Sequence, residues 1–561
     1  MMLERSSLYM HTLSHLRPAQ IAGQLWMRAR SLWRPWLRQQ TSSAAHSERC
    51  HVTPGWFCPL LDTHQHSRIR HGYMTFINRT RHVQWPPIWQ QSEAPMLWQY
   101  NQHYFDWLWS LEPEQAILVT EDWMDFAKRQ PEHIAWDPYP TSLRLMNWCG
   151  VFLSMYNVQS TEKAFYEKLW LSIKEQADWL CYHLEYHLMG NHLLENAFAL
   201  TLLGSLFRGE HGARWYRIGY TLLKRELSEQ ILTDGMHFER SPMYHLRVVY
   251  LSLLLAQQGR PEAKKHIKQL LPNMLDAMHK TAHPDGDIAL LNDSAIGIYP
   301  GPQQLTQYAQ ALHIHTQPTT GVWSLPDAGY FGAHTKDGDA IICDAGPIGP
   351  DYIPGHAHGD IFSYELSLKG QRIIVDSGVF DYEDTEHRRY SRSTRAHNTV
   401  EVEHSDQCEF WGSFRVGRRA RILGTTWSPE QTRFSLRASH DGYMRLQGKQ
   451  VRHTRQFVWS GERSFRVHDQ LSARASITAI SRIHLHPSVF VQLLDEQTAL
   501  LTTHKQTLRI EFFGHGTLDM TRDAQETQYF PQFSVSQPNT ALRFRAEGTQ
   551  LDMGYKITWE S

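Results

Sequence analysis

The stretch Ser363-Tyr364-Glu365-Leu366-Ser367-Leu368-Lys369-Gly370-Gln371-Arg372-Ile373-Ile374-Val375 decides the fold. Its first six residues alternate in polarity, Lys369-Gly370 reads as a turn, and the run that follows is rich in β-branched side chains. That is the pattern of a hairpin with one buried face. The same two-residue period recurs at 432–438, 507–512 and 541–546, with turn signals at Lys336-Asp337-Gly338, His440-Asp441-Gly442 and Ala546-Glu547-Gly548. Residues 319–561 are therefore predicted to form an antiparallel β-sandwich. Upstream, from 96 to 318, apolar residues recur three and four apart in segments such as 142–156, 162–188, 192–207, 213–229, 245–258 and 261–281. This spacing predicts stacked helical hairpins, and the fold class is α+β multidomain. Residues 1–95 read as an extension: helical to about 38, a polar loop over 39–67, and a weakly alternating hairpin over 72–89.

The 561 residues are enough for two or three cores. A formal charge of −1 gives no bulk attraction to polyanions, so nucleic acid is not an expected partner, and an acidic ligand must meet a local basic patch. The 34 His, 20 Trp and 23 Tyr suit contacts to sugars, whose C–H faces stack on aromatic rings. The six cysteines (Cys50, Cys58, Cys149, Cys181, Cys343, Cys408) have no CxxC spacing and read as buried free thiols. No signal peptide and no run of 18 apolar residues is apparent. The expectation is a cytoplasmic protein or one peripheral to the inner membrane, with the periplasm left open and no membrane span. The basic amphipathic segment 19–28 reads as a helix docked on its own domain in preference to one lying on a membrane. The sequence leaves the oligomeric state unknown.

Several polar clusters fall at the predicted joins. In Gly355-His356-Ala357-His358-Gly359-Asp360, residues two apart on a strand face one side, so one imidazole can ligate a metal while the other does chemistry. His358, Asp376 and His397 supply two imidazoles and a carboxylate, a donor set suited to zinc, with Asp360 available to set tautomers. The zinc would be structural. Asn191 and His192 open a helix after Gly190, where backbone N–H groups and the dipole favour an anion, while Glu195 and Asn196 brace packing. Tyr244 follows Ser241-Pro242-Met243, and neighbouring cations could favour its phenolate. Tyr390, inside the arginine-rich run 388–395, is a second candidate phenol. Arg392 and Arg395 of that run, with Arg240, could pair with carboxylate or sulfate. Tyr139, Arg144 and Asn147, in the aromatic stretch 136–148, fit a sugar groove. Each cluster also has a plain structural reading as a helix cap, a packed core group or a solvated face.

Taken jointly, GNHLLEN (190–196), ERSPMYH (239–245), GHAHGD (355–360) with Val375-Asp376-Ser377-Gly378, and RAHNTV (395–400) resemble the heparinase II/III-like polysaccharide lyases, including related alginate lyases. The resemblance runs from about 98 to 411. It implies an N-terminal incomplete (α/α) toroid followed by a C-terminal antiparallel β-sandwich, with a uronate-containing polysaccharide held between them. It implies β-elimination: loss of the C5 proton, scission of the C4–O bond, and a 4,5-unsaturated uronate. On matching positions Asn191 and His192 would neutralise the C6 carboxylate, Tyr244 would act as acid, and His356 would be partner base or stabiliser. The base role falls to Tyr244 or His356 according to whether the proton lies syn or anti to the leaving oxygen. His358, Asp376 and His397 match the family zinc ligands, and Tyr390 matches less securely. The absent export signal resembles the subgroup tied to bacterial capsule or exopolysaccharide production. Two alternatives are a uronate C5-epimerase, which would reprotonate the same carbon from the other face, and a catalytically silent glycan-binding protein in polymer assembly.

Overall fold

The structure, a computed structural model, describes residues 2–30, 50–53, 55–56, 69, 72–461 and 463–560. The polar loop expected over 39–67 lies almost wholly outside the described residues. Two helices, α1 (Met2–Leu13) and α2 (Pro18–Arg30), precede a short hairpin of β1 (Tyr73–Phe76) and β2 (Arg79–His82). The hairpin turns through Ile77 and Asn78, both at positive φ (49° and 58°), as a two-residue turn between twisted strands requires.

The helical body follows: α3 (Met96–Tyr104), α4 (Pro113–Arg129), α5 (Pro138–Trp148), α6 (Lys163–Tyr182), α7 (Gly190–Leu206), α8 (Glu210–Gln230), α9 (Pro242–Gln258), α10 (Pro261–Lys280) and α11 (Pro302–Ala311). Proline at the first turn of α4, α5, α9, α10 and α11 starts each helix where a missing N–H costs nothing. α7 and α9 are buried nearly all round and form the middle of the toroid. A tryptophan-rich core of Trp98, Trp107, Trp123, Trp148, Trp170 and Trp215 fills it.

Strands resume at Gly321. The quoted stretch forms β3 (Tyr364–Leu368) and β4 (Gln371–Ile374), paired antiparallel through the Lys369-Gly370 turn, both residues of which have positive φ. Further along come β5 (Val400–Val402) and β6 (Arg452–Trp459). The organising strands are β7 (Ser464–Leu485) and β8 (Thr540–Trp559), which pair antiparallel along nearly their full lengths. A register shift between Ser472 and Ile477 bends β7. Its first half pairs with β6, and its second half with β5 and, at Leu485, with β4. One strand pair thus serves both layers of the sandwich. In β6 alternate residues His453, Arg455, Phe457 and Trp459 are buried, the one-sided pattern of a sandwich strand.

The two domains meet along a polar seam. His283, between α10 and α11, bonds Glu365 of β3 (2.7 Å) and Ser367 (2.7 Å), and Arg372 of β4 reaches Asp285 (2.7 Å). Cys50, Cys149, Cys181, Cys343 and Cys408 carry free thiols, and no helix among the described residues is long and apolar enough to cross a membrane.

Candidate active site

A cleft of about 1540 Å³ lies between toroid and sandwich, and it is lined by Asn191, His192, Tyr244 and His356. Each is delivered by a local device. Ser241 caps α9 by accepting from the Tyr244 N–H (3.2 Å), with Pro242 at the first helical position, so Tyr244 is held in the first turn. The Ser241 hydroxyl in turn donates to the Asp293 carbonyl (2.6 Å), tying that cap to the loop before α11. Gly190 starts α7 at φ 54°, and a Cβ there would lie 2.6 Å from Glu239 Oε1 and 2.7 Å from Ile353 Cδ1. Only glycine admits both neighbours.

Asp293 organises one side of the cleft. Its carboxylate accepts from His356 Nδ1 (2.8 Å), from His358 Nε2 (2.8 Å) and from Arg388 Nη2 (2.9 Å), with a second short contact from Arg388 Nη1. Burial alone would raise the Asp293 carboxyl, but the Arg388 guanidinium and the two imidazole donors hold it well below the usual carboxylate range. A carboxylate only accepts, so His356 carries a proton on Nδ1. Asp293 comes from the toroid, whereas His356, His358 and Arg388 come from the sandwich.

The Tyr244 ring lies 4.2 Å from the His356 ring, centroid to centroid, and its hydroxyl is 3.0 Å from that of Tyr382. Burial, reinforced by Tyr382, Tyr299, Tyr139 and Asp293, pushes the Tyr244 phenol well above its usual 10. The resting group is therefore a protonated phenol, which corrects the expectation of a phenolate favoured by nearby cations. Asn191 N–H donates to Glu239 Oε1 (2.9 Å), so a buried carboxyl already sits at the start of α7 where an external anion was expected. Burial raises Glu239, and its other oxygen lies 3.7 Å from His356 Nε2. His192 bonds Glu185 (3.1 Å) and stacks obliquely on Tyr139 (centroids 4.6 Å). Burial lowers the His192 pKa, but Glu185, then Glu239 and Glu195, outweigh it and raise it above its usual 6.5. Glu195 pairs with Arg247 (2.5 Å), and Asn196 bonds Glu185 and Ser142.

Tyr139 and Asn147 also line the cleft, although the Asn147 amide is engaged by Trp109 (3.0 Å) and Tyr104 (2.9 Å). Five other expected site residues lie elsewhere. Tyr390 is buried against Phe530, and its hydroxyl accepts from Gln528 N–H (3.1 Å). The cleft phenol bonded to Tyr244 is instead Tyr382, eight residues earlier. Arg144 is fully buried, bonded to Gln176 (2.7 Å) and stacked on Trp123. Arg240 binds the carbonyls of Ala328, Phe238 and Asp327, and Arg392 those of Ala357, Gly412 and Arg415. Arg395 lies over the Tyr390 ring. These guanidiniums satisfy backbone carbonyls or aromatic faces instead of a sugar acid. The basic side chains that do line the cleft among the described residues are His187, His192, Arg247, His356, Arg415 and Arg419. Asp293, Tyr382 and Arg247 were missed, because each acts through a partner distant in sequence.

For the metal, burial pushes His358 down to about 3, so it is neutral. It donates from Nε2 to Asp293, and its Nδ1 is buried without a partner. His397 donates Nδ1–H to Asp376 (2.8 Å), leaving Nε2 buried and unpartnered, and the two rings lie 5.4 Å apart. Asp376, however, is occupied by His397 and by the Ser363 hydroxyl (2.9 Å). Among the described residues no group of three or more His, Cys, Asp or Glu is arranged to hold a metal ion. The expected trio thus offers two unpartnered imidazole nitrogens and a carboxylate already engaged by two other donors. Tautomers are set by Asp293 and Asp376, not Asp360, whose carboxylate accepts from Asn292 N–H (2.9 Å).

Comparison with known proteins decides the family. A model described as Heparinase II/III N-terminus matches residues 80–317, and one described as Heparinase II/III-like, C-terminal, matches 317–560. The chain belongs to the heparinase II/III-like family. Heparin-sulfate lyase of Pedobacter heparinus is 24% identical over 378 residues, covering 60% of this chain and 56% of that protein. The Bacteroides stercoris heparin-sulfate lyase is 22% identical, covering 62% and 60%. The chain thus spans little more than half the length of these curated relatives. The crystal structure of heparinase III superposes with a TM-score of 0.72 at 14% identity, covering 98% of this chain and 93% of that one. This last likeness is one of fold: a helical toroid followed by an antiparallel β-sandwich.

Proposed function

We propose that this heparinase II/III-like chain is a carbon–oxygen lyase that cleaves a uronate-containing polysaccharide by β-elimination. The observation that carries the reading is the pairing, in one cleft, of a protonated Tyr244 phenol with a His356 imidazole whose Nδ1–H is fixed by an ionised Asp293. An acid and a base of different character side by side are what elimination needs. His356 Nε2 takes the C5 proton, and the C–H electrons become the C4–C5 double bond. The C4–O bond breaks, and the leaving oxygen takes the Tyr244 proton. The imidazolium and phenolate left behind then exchange a proton and return to their resting forms. His192, cationic below its raised pKa, and the Asn191 amide meet the C6 carboxylate and stabilise the enolate charge.

The test is a panel of heparan sulfate, chondroitin sulfate, hyaluronan, alginate and the producing cell's own acidic exopolysaccharide, followed by the absorbance of the unsaturated product. Product from any of them supports the reading. No product from all five, or deuterium uptake at C5 without chain scission, overturns it. Capsule or exopolysaccharide metabolism is the proposed setting, and the last member of the panel addresses it.

The role given to His192 sets a pH dependence. Its charge is complete below its folded pKa and lost as pH rises through it, so KM should climb as pH is raised from about 6.5, by about tenfold for one charge-assisted hydrogen bond. In His192→Gln the KM should be high and flat with pH. A wild-type KM that is flat or falls with pH counts against a carboxylate contact.

Zinc is proposed as a structural ion on His358, His397 and Asp376, supported by the two buried, unpartnered imidazole nitrogens. When bound it would tie together the loops that carry these residues. Metal analysis should find one zinc per chain, and a chelator should lower Tm by several degrees in wild type but not in His358→Ala. His358→Ala should cost more Tm than His356→Ala. Metal-free protein with an unchanged Tm refutes the assignment.

A further inference from the structure

Residues before 80 lie outside both family matches, yet α1 and α2 form a wall of the cleft: Tyr9, Thr12, Leu13, Leu16, Gln20 and Met27 all line it. They are built into both domains. On the toroid side Arg17 pairs with Glu229 (2.5 Å), and from the C-terminal half Tyr352 lies with its ring 3.7 Å under the same guanidinium while its carbonyl accepts from Gln20 (3.1 Å). A Cβ on Gly23 would sit 2.7 Å from His187 N, so α2 packs directly on the backbone leading into α7. On the sandwich side Thr12 donates to the Val416 carbonyl (3.2 Å) and accepts from Trp411 Nε1 (3.1 Å), and Arg418 reaches Ser7 (3.2 Å).

What this wall presents has the chemistry of an acidic sugar site. Tyr9 meets Trp411 edge to face at 4.9 Å, and both Tyr9 (51% exposed) and Phe414 (42%) offer open ring surface. Phe414 lies 6.2 Å from the His356 ring, centroid to centroid, so the aromatic surface is continuous with the catalytic imidazole. Arg415 is exposed, stacked 4.6 Å over Trp411, and makes no ion pair among the described residues. Arg419, also on the cleft, leaves its buried Nε without a partner. Stacking rings beside guanidiniums with donors to spare recognise a pyranose carrying a carboxylate or sulfate, because the rings take the C–H face and the guanidiniums the anion.

We propose that Tyr9, Trp411, Phe414, Arg415 and Arg419 form a subsite for acidic sugar residues beyond the one undergoing elimination, with the N-terminal helices supplying its outer wall. The proposal rests on the lyase reading and extends it to the length of chain recognised.

The test uses the full-length chain carrying Tyr244→Phe, to prevent turnover, and measures Kd by calorimetry for tetrasaccharides and decasaccharides of heparan sulfate and of alginate. Decasaccharides should bind more tightly than tetrasaccharides. Adding Tyr9→Ala or Arg415→Glu should raise the decasaccharide Kd about tenfold and leave the tetrasaccharide Kd within about twofold. Arg415→Lys should recover part of the loss. Both positions are exposed, so an unchanged Tm is expected and serves as the folding control. Equal effects on both lengths, no effect on the longer one, or no binding of any of these glycans overturns the subsite. The lyase reading is judged separately, by unsaturated product in the polymer panel.

Discussion

Tyr244→Phe lowers kcat by about 10³-fold while KM stays within about twofold, the signature of losing a proton donor that acts only in the transition state. The substitution removes one oxygen. The ring, which packs beside His356 and in the toroid core, is retained, so Tm should move little. Among the described residues the hydroxyl has one hydrogen-bond partner, Tyr382 at 3.0 Å, and burial raises that phenol as well. Tyr382→Phe is therefore the informative companion. If Tyr244 is the donor, the Tyr382 variant loses far less activity. If the two phenols share the role, the variants fall together, and only the double variant is fully inactive. Stopped-flow measurement of single-turnover product formation separates the chemical step from product release. Wild-type kcat in Tyr244→Phe would remove Tyr244 from the mechanism.

Asp293→Asn should damage stability and chemistry at once. The carboxylate is fully buried and serves Arg388, His356 and His358 together. Neutralising it leaves the Arg388 guanidinium buried without its counter-charge, a change that costs about 3–5 kcal/mol and lowers Tm by about 10 °C. An amide can also donate, so the constraint that keeps the His356 proton on Nδ1 is relaxed. kcat should fall on the order of 10³-fold, as when an imidazole is left in the wrong tautomer. Arg388→Lys keeps a charge but loses the two-pronged contact and should be milder on both counts. Calorimetry with parallel kinetics checks the pair, and an Asn variant that melts like wild type would mean Asp293 is not the anchor described.

The periodicity change at Gly321 was legible because side-chain spacing is a local property, and so was the glycine-led start of α7. Tyr244, His192 and His356 stood in recognisable strings for the same reason. Asp293 and Tyr382 were not legible: an aspartate in Leu291-Asn292-Asp293-Ser294 gains its meaning only from three side chains 63 to 95 positions away. The arginine run 388–395 misled for a related reason. A guanidinium looks the same in sequence whether it faces an acidic ligand or the carbonyl oxygens of a neighbouring loop, and Arg392 faces the latter. Arg144 shows the same ambiguity inside a helix, where its stack on Trp123 made it a core residue. The occupied start of α7 was equally hidden, because Glu239 reaches Asn191 from another loop.

The position of Asp293 bears on how such proteins can be recombined. The two family matches abut at residue 317, the natural crossover for a chimera between relatives. A graft made there would import His356, His358 and Arg388 on the new half and leave their shared carboxylate behind on the old one. The cluster proposed to carry the chemistry therefore straddles the folding boundary, and a working hybrid must carry the loop between α10 and α11 along with the donor's C-terminal half.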